Sequence, residues 1–376
     1  MNRLHLLFAM ALGAGAANAQ QTWTVGPNGQ FSDLPPAVAA ASAGDTIMIE
    51  ANVNMTYTPT TIQKGLHLAG SGFGTNVRSL VISGVPSDER VIVQDLTVLH
   101  IPVTPFFTEP ALVIENCPGL VSIDNCTQSG VGKFALSIVN SDFVVLRECF
   151  VSAAAKSHEL INSTISAADT QIYRSVTTTT DAAMEMHDSE LTLTRCRVEA
   201  IASLFTAMHA IRVDNSTVRL VSSSLVATTL PQVAAIIGEC PAPSRVLQAS
   251  NSPSTGVSLS GCVTATTQQT PTLALSDVAV GSTSDLEVFG DAGATALVFV
   301  GAPANTLQTT PLGQLALSPT NSILVASATV PALAPATIAF PNVPSTIPVG
   351  TLIALQAVSI SGQQVMLSTP TIAAVR

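Results

Sequence analysis

ALVIENC at residues 111–117, ALSIVNS at 135–141, SHELINS at 157–163, AMEMHDS at 183–189, AIRVDNS at 210–216 and AAIIGEC at 234–240 are variants of one seven-residue pattern. The starts are spaced 24, 22, 26, 27 and 24 residues apart. Positions two and four are mostly apolar, position six is mostly Asn or Asp, and position seven is Ser or Cys. Alternation of this kind over four to six residues marks a strand with one face buried. A second short alternating run follows most units: VSIDNC (121–126), VVLREC (144–149), TQIYRS (170–175), LTLTRC (191–196) and VRLVSS (218–223). Neighbouring hairpins would need tight Asn-Gly or Asp-Gly turns, yet Asn28-Gly29 is the one such pair in the chain. Short strands recurring every 22–27 residues without hairpin turns predict a parallel β-solenoid.

In a solenoid each coil pairs with the next at about 4.8 Å, so equivalent positions stack into ladders. The inward ladders would be Leu112, Leu136, Met184 and Ile211, with Ile114, Ile138, Leu160, Met186 and Val213 beside them. The sixth-position ladder reads Asn116, Asn140, Asn162, Asp188, Asn215. Asn tolerates the left-handed backbone of a tight bend, and stacked side-chain amides bond along the axis. That structural role accounts for the column better than glycosylation of Asn162-Ser163-Thr164 or Asn215-Ser216-Thr217.

Outside the repeats, residues 1–19 carry Arg3, an apolar run from Leu6 and Ala17-Asn18-Ala19, the pattern of a cleaved signal peptide. It predicts export to the cell surface or beyond. The sequence has no long apolar run of transmembrane length. The chain has 376 residues, a net charge of −10, and only 10% charged side chains. An acidic chain without a basic block argues against nucleic-acid partners. Charge is also uneven: after Asp291 the sole charged side chain is Arg376. The shift predicts a solenoid over 20–268 and a separate β-sandwich-like module over 272–376, rich in Pro, Thr and short apolar strands. A short helix is expected at about 31–43, with Ser32 or Asp33 as N-cap and Pro35-Pro36 in the first turn.

This N-terminal stretch resembles secreted right-handed parallel β-helix proteins of the pectate-lyase-like superfamily. The residues that carry the likeness are Phe31, Asp33, Leu34, Ala37, Val38, Ala41, Gly44-Asp45-Thr46-Ile47, Tyr57, Thr61-Ile62, Lys64, Leu66, Leu68, Gly70 and Gly72. It covers roughly residues 22–265 and implies that the helix caps the open end of the solenoid. The tail resembles a C-terminal module of exported Gram-negative bacterial proteins, through Gly350, Gln356-Ala357 and Leu367-Ser368. Family enzymes carry their chemistry on outward side chains. The Gly-His-Gly and Arg-x-Lys of polygalacturonase-like members and the Gly-x-x-Asp-Phe of pectin-esterase-like members are missing from this sequence.

Positions three and five of the unit point outward, and their columns read Glu159, Glu185, Arg212 and His187, Asp214. Glu185, His187, Arg212 and Asp214 fall on adjacent coils and are the candidate catalytic set; Lys156, His158 and His209 lie near them in sequence. A carboxylate, an imidazole and a guanidinium can move a proton or grip a sugar acid. The same set also makes ordinary cross-strand ion pairs. No cofactor is evident, no metal ligand is assigned, and calcium enters only under a lyase-like reading. Cys126, Cys149 and Cys196 end equivalent strands, and either disulfides or buried thiols fit that placement. Tyr173 is the one aromatic platform candidate in the repeats. Two functions follow. One is a non-catalytic exported β-helix with a structural, adhesive or weak glycan-binding role. The other is a lyase or hydrolase of an acidic polysaccharide.

Overall fold

The computed structural model describes residues 20–52, 56–72, 74–100, 110–130, 135–154, 157–176, 182–202, 208–227, 233–239, 243–248, 253–267, 271–276, 278–340, 342–348 and 350–376. The signal-peptide region, Lys133, Lys156 and Cys240 lie outside them.

The repeats form a right-handed parallel β-helix with three sheets. One coil runs Leu136–Val139 in sheet C, Val144–Arg147 in sheet A and Phe150–Ala153 in sheet B. The next runs His158–Ile161, Thr164–Ala168 and Gln171–Val176. Among the described residues, sheets A, B and C hold eleven, seven and nine strands. Inward apolar columns merge into one core from Val25 to Val246.

Two sharp bends separate the strands of a coil, and both use the left-handed backbone. The first is the Asn column, with φ of 53° at Asn116, 48° at Asn140, 46° at Asn162, 49° at Asp188 and 45° at Asn215. Asn162 Nδ2 donates to Asn140 Oδ1, and Asn140 Nδ2 to Asn116 Oδ1, both at 3.1 Å. The second bend has no shared residue type: Asn125, Glu148, Asp169, Arg195 and Ser222 hold φ of 50–53°.

The residue after each bend is a small buried donor. Ser163 Oγ donates to Ile161 O at 2.7 Å and accepts the Ser141 N–H of the preceding coil at 3.1 Å. Ser189 and Ser216 repeat this one and two coils on. At the second bend the column is Cys126, Cys149, Thr170, Cys196, Ser223. The thiols of Cys126, Cys149 and Cys196 point at the carbonyls two residues back, 3.2–3.4 Å away. Cysteine stands where serine or threonine serves equally. Cys117, Cys126, Cys149 and Cys196 are free and buried, whereas Cys262 is disulfide-bonded.

Two register expectations change. TQIYRS is not the sheet A run of its coil: Thr164–Ala168 takes that place, and Gln171–Val176 belongs to sheet B. The last unit is shifted by one residue, because Ile236 rather than Ala235 pairs Ile211. A one-residue slip exchanges inward and outward faces, and it puts Glu239 one place beyond Gly238, the partner of Val213.

The helix is Leu34–Ala40, capped by Asp33, whose carboxylate accepts the Leu34 N–H at 2.8 Å. It packs on the first strands and adds Leu34, Ala37 and Val38 to the solenoid core. Asp45 of the Gly-Asp-Thr-Ile segment is buried and accepts from Gln21 N, Ser42 N and Trp23 Nε1 at 2.8–3.0 Å.

The C-terminal module has two antiparallel sheets. One contains Thr272–Leu275, Ser284–Phe289 and Ala336–Phe340. The other contains Thr295–Thr310, Gly313–Thr329, Leu352–Ser361 and Gln364–Leu367, with Thr371–Ala374 added to it. Leu273, Leu286 and Val288 from the first share a core with Val298, Ile353 and Leu355 from the second. The opposite face of the larger sheet is also covered. Leu352, Ala354 and Ile372 pack on Ile92, Leu120, Phe143 and Val145, the outward side of sheet A. Its central strand, Leu352–Ser361, is buried on both faces over Leu352–Ala357 and has no place for charge there.

The rim of this contact is ionic. Arg376 reaches Asp124 at 2.6 Å and Glu148 at 2.8 Å, Arg147 reaches Glu148 at 2.8 Å, and Arg195 reaches Glu287 at 2.8 Å. Burial opposes the charge of Arg376, but the two carboxylates outweigh it and raise its pKa above the usual arginine value. The tail motif is structural too. Gly350 (φ 85°) leaves no room for a β-carbon, which would fall 2.0 Å from His67 Cε1. Buried Gln356 accepts from Ala316 N and donates to Ser368 O, while Ser368 Oγ accepts from Ala357 N.

Candidate functional site

Strands Ala182–His187 and His209–Asp214 lie side by side in sheet C, with Glu185 opposite Arg212 and His187 opposite Asp214. The four expected residues therefore meet on one outward face. Arg212 Nη1 is 3.8 Å from Glu185 Oε1, and His187 Nδ1 is 3.5 Å from Asp214 Oδ2. Glu239, which the shifted register hides from sequence inspection, adds a carboxylate 3.5 Å from Arg212 Nε. Glu159 stacks on Glu185 from the preceding coil, and Ser137 Oγ donates to its Oε2 at 3.3 Å. All four candidates are half-buried; His187 and Asp214 retain 36% and 35% side-chain exposure.

Glu185 is held from behind. Ser157 Oγ donates to Glu185 Oε1 at 2.8 Å and accepts from Arg174 Nη1 at 2.9 Å. Arg174 is fully buried and also donates to Ala182 O. Alternation on the Gln171–Val176 strand is the signal that could have placed Arg174 inward. His158 is not on the outward face. It occupies the inward column, between Leu136 and Met184, with Nε2 3.2 Å from Tyr173 O and Nδ1 without a partner. Burial lowers its pKa to about 4, against the Tyr173 carbonyl, and the neighbouring Arg174 lowers it further. His209 Nδ1 donates to Ala234 O at 2.7 Å. Tyr173 is on sheet B, half-exposed, between Ser152 and Glu199.

The donor set does not suit calcium. Each carboxylate of the pair of strands faces a cation or imidazole, and among the described residues no three His, Cys, Asp or Glu side chains converge. Calcium needs six to eight oxygens. Among the described residues no helix is long and apolar enough to cross a membrane.

No protein-family model matches the sequence, and no curated protein matches it. Among solved structures, the chain is similar to the pectin methylesterase of Aspergillus niger, with a TM-score of 0.23 and 14% identity over 67% of this chain and 87% of that one. It is also similar to full-length tailspike protein 2 of an Escherichia coli O157:H7 bacteriophage, with a TM-score of 0.34 and 9% identity over 90% of this chain and 60% of that one. The Dettilon tailspike protein gives 0.24 at 8% identity over 88% and 87%. At these scores the matches say nothing of the site.

Proposed function

We propose that the protein is exported and acts without catalysis, as an adhesive or glycan-binding β-helix at the cell surface or outside the cell. One observation carries this reading: the polar side chains of sheet C are engaged with one another across the strands. Arg212 lies between Glu185 and Glu239, and His187 faces Asp214. A general base needs a lone pair aimed at substrate, and Glu185 is instead engaged by Arg212 and Ser157. Arg212, engaged with carboxylates across the strands in this way, makes cross-strand ion pairs, worth up to about 1 kcal/mol each. The signal-peptide pattern supports export, and the acidic balance disfavours nucleic acid as a partner.

The test is a panel of acidic and neutral polysaccharides, with and without calcium, followed by two readouts. Retardation in affinity electrophoresis reports binding; reducing ends and the ultraviolet absorbance of unsaturated sugar ends report cleavage. Binding without products is expected. Products that disappear in Glu185→Gln or Arg212→Ala would establish a polysaccharide lyase or hydrolase instead.

A further inference from the structure

Sheet A presents a second outward face, and the C-terminal module covers only part of it. Beyond Val145 the floor is less covered, with Ser166, Glu190, Thr217 and Arg219 half-buried and Arg245 exposed. In strand order it carries Ser166, Thr192, Arg219, Leu247 and Thr266 in one row. The adjacent row carries Thr164, Glu190, Thr217, Arg245 and Thr264. Where the module's edge rises beside this floor there is a cleft of about 530 Å³, walled by Leu312, Val365 and Met366. A second hollow of about 460 Å³ continues it along the sheet past Arg245 and Thr264. Glu190 and Arg219 line both, so the two form one trough across the coils.

The lining defines a ligand. Arg219 pairs with Glu190 at 3.0 Å, but Glu190 is 42% exposed, so a competing anion can take over that guanidinium. Arg245 is exposed and has no ion pair among the described residues. Their backbones are about 8 Å apart, one strand spacing across and two residues along. Two guanidiniums in a protein of net charge −10 mark a local reversal of sign. Hydroxyls of Thr217 and Thr266 flank them, each able to donate and accept, and Thr264, which donates to Ser244 O at 3.3 Å, can still accept. The opposing wall is mixed: Leu312 at 44% and Val365 at 39% exposure stand out to solvent, beside Thr309, Gln314 and Thr369. Hydroxyls and cations facing a wall where exposed apolar side chains alternate with polar ones suit a molecule with polar edges, an apolar C–H face and negative charge.

We propose that this trough binds an anionic oligosaccharide lying across the coils, its acid groups on Arg219 and Arg245 and its ring faces against Leu312 and Val365. The inference rests on the glycan-binding reading above and moves the contact from sheet C to sheet A. Arg guanidinium recognises carboxylate and sulfate alike, so the acid group is left to the test.

The experiment uses the full chain in affinity electrophoresis with polygalacturonate, dextran sulfate and uncharged dextran. Retardation by one or both charged polymers and not by dextran is expected, and the polymer that retards identifies the acid group. Each guanidinium lost should weaken binding about tenfold, the equivalent of one charge-assisted hydrogen bond; Arg219→Ala with Arg245→Ala should remove retardation. Arg245→Glu, at an exposed position, gives the same loss with the fold untouched, as an unchanged melting curve will show. Equal retardation of wild type and Arg245→Glu overturns the proposal. If Arg212→Ala on sheet C abolishes binding instead, the trough is wrong and the glycan reading survives. If wild type is retarded by none of the polymers, both fail.

Discussion

His158→Met tests the inward ladder most sharply. His158 sits between Leu136 and Met184 in a column that is otherwise aliphatic or thioether, and it is fully buried. Burial is the main reason its pKa falls from 6.5 to about 4. A group whose folded pKa is depressed contributes stability that is fully present above the unfolded value and lost as pH falls toward the folded one. The window is therefore pH 6.5 down to about 4. That interval, at about 1.4 kcal/mol per pH decade, amounts to about 3 kcal/mol. Methionine matches the next residue of the ladder, cannot ionise, and removes an imidazole nitrogen that has no partner. Urea unfolding of wild type and variant between pH 7 and pH 4 isolates the effect, because titrating carboxylates contribute alike to both. The wild type should lose about 3 kcal/mol relative to His158→Met across the window. Parallel pH curves would refute the placement of His158 in the core.

Three further outcomes follow from the packing. Burial pushes the thiols of Cys149 and Cys196 up to about 12 and raises Cys126 and Cys117 as well, so at pH 8 the native protein should resist alkylation. After denaturation without reductant, mass spectrometry should find four labelled thiols; fewer would mean that ladder cysteines are bridged. Asn140→Gly should be milder than Asn140→Ala by about 1 kcal/mol, since alanine dislikes the left-handed bend while both lose the amide ladder; equal losses in thermal unfolding would deny the bend its part. Arg376→Ala should cost about 2 kcal/mol, the range of a hydrogen bond to a charged group, because it removes a 2.6 Å contact from the buried carboxylate of Asp124. Calorimetry unchanged from wild type would show that the ionic rim does not hold the module.

The sequence pattern was most legible where one residue type meets one geometric need. Only a few side chains accept a left-handed bend, so the Asn column announced the first corner. The second corner was illegible because Glu148, Arg195 and Ser222 adopt the same φ without the same chemistry. Their conformation is imposed by the pairing of neighbouring coils, which no single unit encodes. The same cause misplaced TQIYRS and shifted the final unit, hiding Glu239. The outward pairing of Glu185 with Arg212 and His187 with Asp214 followed directly from period-two alternation. His158 broke the polar-out habit, and its inward place was readable only from the second position of its unit. Sheet A's trough was invisible, since one wall comes from residues about 120 to 200 positions later in the chain.

The central claim is that glycan contact lies on sheet A beside the module, not on the charged strands of sheet C. Oxidative footprinting by hydroxyl radicals, with and without polygalacturonate fragments, compares the two faces in one experiment. Met366 and Leu312 flank the trough, and His187 reports the sheet C patch. The account predicts that the oligosaccharide protects Met366 and Leu312 and leaves His187 unchanged. Protection of His187 with continued oxidation of Met366 would contradict it.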